Sequence, residues 1–373
     1  MGLIITPQSK IEKYFKSEAI SQSYLKGLLG GLDRFLSRET NEKDLFYEEK
    51  GNLIIGSAVD IILTGEEGEF EKNYYVSQID NKPSKVEMSI TQMVFTNVIE
   101  HCTKKQVKEM DIGELSLYSS YIDEATEEHN WQPGWKTKTK FDKIVKVCSE
   151  YFEDLKKAHN RQIISEQERI LIQDIVDSFK NNPRTKKYFD RERFRRANDI
   201  DVYYQLPIYF KYQRVKCKAL IDMVIVFKNP DTKVIEFVQP IDIKTMSGYT
   251  YDFINNLRRF RYDIQSAFYT FAVSQHFMLH YKDVRLKPFL FIVESTTDVG
   301  KPLIYKVSEE LYEIGRYGRL EYKHDSTLLA KQIKGFENLI YEYSYFSRTG
   351  WKEEIEVTEN DGVLELDWNG III

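Results

Sequence analysis

Three runs rich in Val, Ile, Tyr and Phe follow one another closely: Val202 to Phe210, Val215 to Phe227 and Val234 to Lys244. Their β-branched and aromatic content predicts three strands. Asn229-Pro230-Asp231-Thr232 supplies a turn between the last two, so the expected arrangement is an antiparallel meander. That arrangement decides which side chains can meet. Asp222 is the one charge in Ala219–Phe227, and Asp242 and Lys244 lie near the end of the third run, two apart and hence on one face. Folding the hairpin at residues 229–233 brings Asp222 and Asp242 together.

An unpartnered ionised carboxylate in a strand core costs on the order of several kcal/mol, so such groups are paired or hold a metal. Asp222 has one bland explanation, an edge position reaching solvent or Lys216 or Lys218. Asp242 has the same explanation and a further one, a buried ion pair with Lys244. The chemical alternative starts from convergence. Two carboxylates brought together repel unless a cation sits between them. A carboxylate pair with a lysine on the same face suits Mg²⁺ or Mn²⁺ and an activated water.

The remaining chain frames this site. Ser21 to Leu36 reads as a helix interrupted at Gly30-Gly31, and Asn52 to Leu63 as an apolar helix buried all round that carries Asp60 four residues after Gly56. Asp60 is a further candidate metal ligand, because this helix has little polar face to offer solvent. From Glu66 to about Asn160 the sequence is polar and helical, with a break at Trp131–Trp135, and Ser165 to Lys180 forms another amphipathic helix. After the meander we expect a helix from Asp252 to His276, strands at Pro288 to Glu294 and Pro302 to Val307, a helix from Thr327 to Tyr345, and a tail hairpin turning at Asn360-Asp361-Gly362. The division is therefore 1–65 as N-terminal helices of the core, 66–160 as a helical insertion or lid, 161–350 as the part bearing the strands, and 351–373 as a hairpin-like tail.

Arg258, Arg261, Gln265 and Tyr269 recur at three- and four-residue steps, which places them on one stripe of the Asp252–His276 helix. Arginines there suit phosphate contact, and Gln and Tyr suit hydrogen bonding near a phosphate; plain amphipathicity, with Tyr269 a core aromatic, is the competing explanation. Eight basic residues between Lys180 and Arg196, among them Arg193, Arg195 and Arg196, form a second cluster. Either cluster can be a solvated helix face or a DNA contact. The net charge of −5 does not by itself advertise nucleic-acid binding. Three isolated cysteines suit a reducing compartment and offer neither a zinc nor an iron–sulfur ligand set. No apolar run is long enough to span a membrane, and Met1–Pro7 lacks the features of a signal peptide, so a soluble cytoplasmic protein is expected.

With these residues in hand, the chain resembles the PD-(D/E)XK nuclease superfamily, in its RecB-type branch and near the RecE-like exonucleases of phages and prophages. Ser21-Gln22-Ser23-Tyr24-Leu25-Lys26 is similar to the branch's N-terminal S-x-S-x-L-K helix, and Gly56 to Asp60 to its G-x-x-x-H helix with Asp replacing His. Asp222 matches the first acidic position, Asp242-Ile243-Lys244 the D-x-K core, and Gln265 to Tyr269 the Q-x-x-x-Y helix. Gln205 stands where relatives carry a glutamate. The resemblance implies an α/β restriction-endonuclease-like core, a mixed central sheet flanked by helices, with a helical insertion. It also implies one or two Mg²⁺ or Mn²⁺ ions on Asp60, Asp222, Asp242 and the Ile243 carbonyl, with Lys244, Gln265 and Tyr269 serving catalysis. The implied reaction is DNA phosphodiester hydrolysis leaving 5′-phosphates, from linear duplex ends in recombination or repair. A single-strand or flap-directed repair nuclease and an inactive nucleic-acid-binding scaffold are the alternatives. DNA is the implied partner; a single-strand annealing protein and self-association are further possibilities by analogy.

Overall fold

The computed structural model describes residues 2–32, 34–36, 50–79, 82–279, 281, 283–322, 329–351, 365–367 and 370–372. The chain divides into two units, Ile54–Ser178 and the remainder, Met1–Leu53 with Phe179–Ile373. The larger unit opens with a short strand, β1 (Leu3–Ile5).

The smaller unit begins inside the apolar helix Lys50–Thr64, ahead of the boundary at residue 66 expected from composition. That helix is not buried all round, since Leu53 and Ser57 are exposed. Helices Lys85–Ile99 and Thr137–Ala158 pack Ile90, Val94, Phe95 and Val98 against Ile144, Cys148 and Phe152. The first of these helices is capped reciprocally by Ser84 and Glu87. Trp131 packs against the same cluster. Two strands that the sequence did not announce, β2 (Tyr74–Ser77) and β3 (Gln162–Ser165), pair in parallel. Four-residue strands from distant segments give no local signal.

In the larger unit the three apolar runs form β4 (Ile200–Tyr212), β5 (Val215–Lys228) and β6 (Ile235–Met246), an antiparallel meander. Asn229 builds the β5–β6 turn, its Oδ1 accepting from the amides of Asp231 and Thr232. Next come a two-residue strand, β7 (Arg285–Leu286), β8 (Leu290–Ser295) and β9 (Leu303–Lys306). The sheet order is β1-β4-β5-β6-β8-β9, with β7 beside β6. β6 and β8 are parallel and so need a crossover. Helices Phe253–Phe260 and Tyr262–Met278 supply it. The fold class is thus α/β with a mixed central sheet and flanking helices. Ile208, Ala219, Val224 and Val238 of the sheet share one core with Ile264, Phe268 and Phe336 of the helices.

One irregularity fixes what faces that core. Cys217, Ala219 and Ile221 belong to it, and so do Val224 and Val226. The alternation therefore changes phase between Ile221 and Val224. Across the ladder, Tyr204 pairs with Met223 and Leu206 with Ile221, so Gln205 stands opposite Asp222. Gln205 has a φ of +50°, left-handed backbone inside a strand. A non-glycine residue there costs on the order of 1–3 kcal/mol. The phase change accounts for the almost unbroken apolar reading of β5.

Three expected elements differ. The helix expected from Asp252 to His276 is two helices, broken at Arg261, whose φ is +52°. The helix expected from Thr327 to Tyr345 is a strand, Leu329–Ile333, paired with Arg319–Tyr322, followed by the helix Phe336–Thr349. Residues 327–328 lie outside the described residues. In the tail, Glu365–Asp367 pairs with Gly370–Ile372; the expected turn at 360–362 is outside the described residues.

Candidate active site

Asp242 sits on β6 with 1% of its surface exposed. Its Oδ1 accepts a 2.6 Å hydrogen bond from Gln265 Nε2 on the crossover helix. Its Oδ2 lies 2.5 Å from Lys244 Nζ in a buried ion pair. Beside this pair the β5–β6 ladder stops being a backbone ladder. Past the Met223–Ile241 pair, the N–H of Ile243 donates to Asp222 Oδ2 at 2.8 Å. A side-chain carboxylate thus takes the place of a main-chain acceptor, and it does so at the residue between Asp242 and Lys244.

Electrostatics follow from this packing. Burial pushes the Asp242 carboxyl above its ordinary value, and the Lys244 and Lys26 ammoniums pull it back only in part. Burial alone would lower Lys244, but Asp242 and then Asp222 outweigh it and hold the lysine above its usual range. Both carboxylates therefore act on one ammonium. Tyr269 is raised well above a normal phenol, by burial first and then by Asp242, Tyr14 and Asp222, so it stays a protonated O–H donor.

Three further residues belong here, and sequence reasoning gave them no role. Ile20 bridges in parallel to Cys217, docking the N-terminal segment beside β5. The following turn carries Gln22 and Lys26. Gln22 is buried, its Oε1 has no hydrogen bond, and its amide lies against the Tyr269 hydroxyl. Lys26 Nζ donates to the Phe260 carbonyl at 2.9 Å. Burial, and then the like charge of Lys244, bring Lys26 down to about 8 against the pull of Asp263 and Asp242. Tyr262 lies under both lysines, its ring centre 5.1 Å from Lys244 Nζ and 5.8 Å from Lys26 Nζ. The lysine ending Ser21–Lys26 was the available signal.

The remaining candidates are placed differently. Arg261 does not continue a stripe with Arg258, Gln265 and Tyr269, because it is the break between the two helices. Its guanidinium is committed to Asp263 at 2.8 Å and to the Lys334 carbonyl at 2.6 Å. Arg258 is exposed. Arg193 is exposed on the Arg191–Arg196 helix, where Arg195 and Arg196 both pair with Glu192, at 2.5 and 3.7 Å. Exposed pairs of this kind contribute about 0–1 kcal/mol and leave the arginines exchangeable. Asp60 belongs to the smaller unit, where its Oδ1 accepts from Thr64 Oγ1 at 3.2 Å and its charge, after burial, raises Tyr74. Among the described residues no three or more His, Cys, Asp or Glu side chains gather in a group able to hold a metal. The larger unit contributes Asp222 and Asp242 as the candidate acids.

The chemistry of the donor set fits a hard divalent cation. Two carboxylates, Asp242 and Asp222, act on Lys244, and Asp222 also accepts from the Ile243 amide. Glu294 shows the contrast: equally buried on β8, its oxygens accept from the amides of Ser295 and Gly300, a structural arrangement.

No protein-family model matches this sequence, and no curated protein sequence matches it. A solved structure from Eubacterium rectale, described as a "putative exonuclease", is similar over 94% of this chain and 88% of its own, at 13% identity and a TM-score of 0.43. Likeness at that level carries no argument about activity. No helix among the described residues is long and apolar enough to cross a membrane.

Proposed function

We propose that this chain is a Mg²⁺- or Mn²⁺-dependent DNA nuclease of the PD-(D/E)XK type, a RecE-like exonuclease that hydrolyses phosphodiester bonds at linear duplex ends and leaves 5′-phosphates. One observation carries the reading: Asp222 Oδ2 accepts from the amide of Ile243, the residue flanked by Asp242 and Lys244.

Asp222, Asp242 and the Ile243 carbonyl would hold the ion. When bound, it supplies a water acidified for attack and polarises the phosphate. The other work falls to the side chains. Gln265 fixes the Asp242 rotamer through its 2.6 Å hydrogen bond, so the carboxylate cannot turn away. Lys244, kept charged by the two acids, orients the attacking water and offsets negative charge that develops on the phosphate. Tyr269, kept protonated, offers a hydrogen bond to a phosphate oxygen.

The test is incubation of linear, circular and single-stranded DNA with Mg²⁺ or Mn²⁺, with the Asp242→Ala protein alongside. Degradation confined to linear duplex, and lost in the variant, supports the proposal. Cleavage that persists in Asp242→Ala refutes the site.

A further inference from the structure

We propose that Tyr249 and Tyr251 form a stacking platform for an unpaired base of the DNA strand presented to the Asp222–Asp242–Lys244 site, an inference that rests on the nuclease reading. The two tyrosines lie on the turn that leaves β6 and are 51% and 63% exposed. Their rings are parallel to within 7°, with centres 5.1 Å apart. The backbone beneath them is held on both sides. Gly248 donates to Thr297 Oγ1 at 3.0 Å, and its carbonyl accepts from Ser295 Oγ at 2.6 Å. Thr250, between the tyrosines and buried, donates through Oγ1 to the Lys301 carbonyl at 3.0 Å, and its own carbonyl accepts from Tyr305 Oη at 2.6 Å. A fixed backbone therefore holds a pair of rings outward.

Folding gains little from this, because half or more of each tyrosine stays in water. A third ring laid on the stack would bury more of it, and base–aromatic stacking tolerates any base. Paired bases inside a duplex are covered on both sides, so the base that fits is a terminal or unpaired one. The platform also follows the reacting groups closely along the chain, Tyr249 and Tyr251 coming five and seven residues after Lys244. Lys244 lies over Tyr262, Tyr262 stacks on Phe253 at 5.7 Å, and Phe253 directly follows the turn carrying Tyr251. Two stacked rings, Tyr262 and Phe253, therefore run from the lysine to the helix start that follows this turn. The charges beside the platform are mixed: Asp252 and Asp298 both act on Tyr251, Asp298 is paired with Lys301 at 3.0 Å, and exposed Arg258 is on the helix that starts at this turn.

The experiment is fluorescence anisotropy with the full chain in EDTA, so that binding is read without hydrolysis. The probes are a labelled oligothymidylate and a matched chain of abasic sugar phosphates. Joint substitution Tyr249→Ala and Tyr251→Ala is expected to weaken oligothymidylate binding about tenfold. Tyr249→Phe with Tyr251→Phe should stay within about twofold of the parent, and abasic binding should not change. The platform is overturned if the alanine protein binds oligothymidylate like the parent, if it loses abasic binding equally, if the phenylalanine protein behaves like the alanine protein, or if the parent does not prefer bases. Hydrolysis by the parent protein is measured separately. Its absence defeats the nuclease reading, while anisotropy judges the platform alone.

Discussion

Lys244→Met is the most informative single change in the metal-free protein. It leaves the Gln265 hydrogen bond to Asp242 intact but removes the ammonium 2.5 Å from Oδ2. Breaking one side of a buried ion pair costs about 3–5 kcal/mol. The Lys244 side chain is 19% exposed, so some solvent reaches the pair and the lower end, about 3 kcal/mol, is expected. The loss depends on pH in a definite direction. Asp242 already has a raised folded-state value through burial, and removing Lys244 raises it further. Between the unfolded and folded values the folded state binds more protons, so stability falls as pH rises through that window. The deficit of Lys244→Met should therefore shrink as pH is lowered from neutral toward the ordinary aspartate range. Adding Asp242→Asn removes the stranded charge and should restore stability to within about 1 kcal/mol of the parent. Because the chain has two units, a global melt need not be one transition. The suitable assay is urea unfolding followed by hydrogen exchange in peptides covering β5 and β6, with EDTA present. Parent-like stability of Lys244→Met at neutral pH, or a double variant no more stable than the single one, would refute the ion-pair reasoning.

Lys26 should titrate near 8, and its depressed value means the folded state binds fewer protons from there up to the ordinary lysine value of 10.5, so stability linked to it rises with pH across that window; pH-dependent amine acylation followed by peptide mapping checks this. Gln265→Leu should destabilise by about 1.5–3 kcal/mol, because a charge-assisted hydrogen bond to a buried carboxylate is lost, and denaturant midpoints report it. Gln205→Val should be about 2 kcal/mol less stable than Gln205→Gly, since only glycine adopts the left-handed backbone without strain; equal midpoints would count against the irregularity opposite Asp222. Gly315→Ala should cost about 1–3 kcal/mol, because a Cβ there would stand 2.0 Å from the Asp263 carbonyl oxygen of the neighbouring crossover helix; an unchanged midpoint would deny that close approach.

Much of the site's framework was legible because it is local. The Asn229 turn fixed the β5–β6 hairpin, and the hairpin register put Asp222 beside Asp242. The two-residue spacing put Lys244 on the same face. What was not legible depends on contacts between distant segments. Arg261 reads as one more position of an amphipathic helix, and only its commitment to Asp263 and the Lys334 carbonyl ends one helix and begins the next. Nothing in the sequence near Gln205 announces a left-handed residue in the middle of a strand. Lys26 looks like an ordinary helix-end lysine until the Phe260 carbonyl and the Tyr262 ring surround it. Asp60 was legible as a charge in an apolar helix, and its hydrogen bond from Thr64, four residues on, is equally local.

The direct test is a Mn²⁺ titration followed by electron paramagnetic resonance, comparing the parent with Asp222→Asn and Asp242→Asn. Tight uptake by the parent, weakened at least about tenfold in each variant, is the predicted result. Parent and variants that take up Mn²⁺ equally, or a parent that takes up none, would contradict a cation held between β5 and β6.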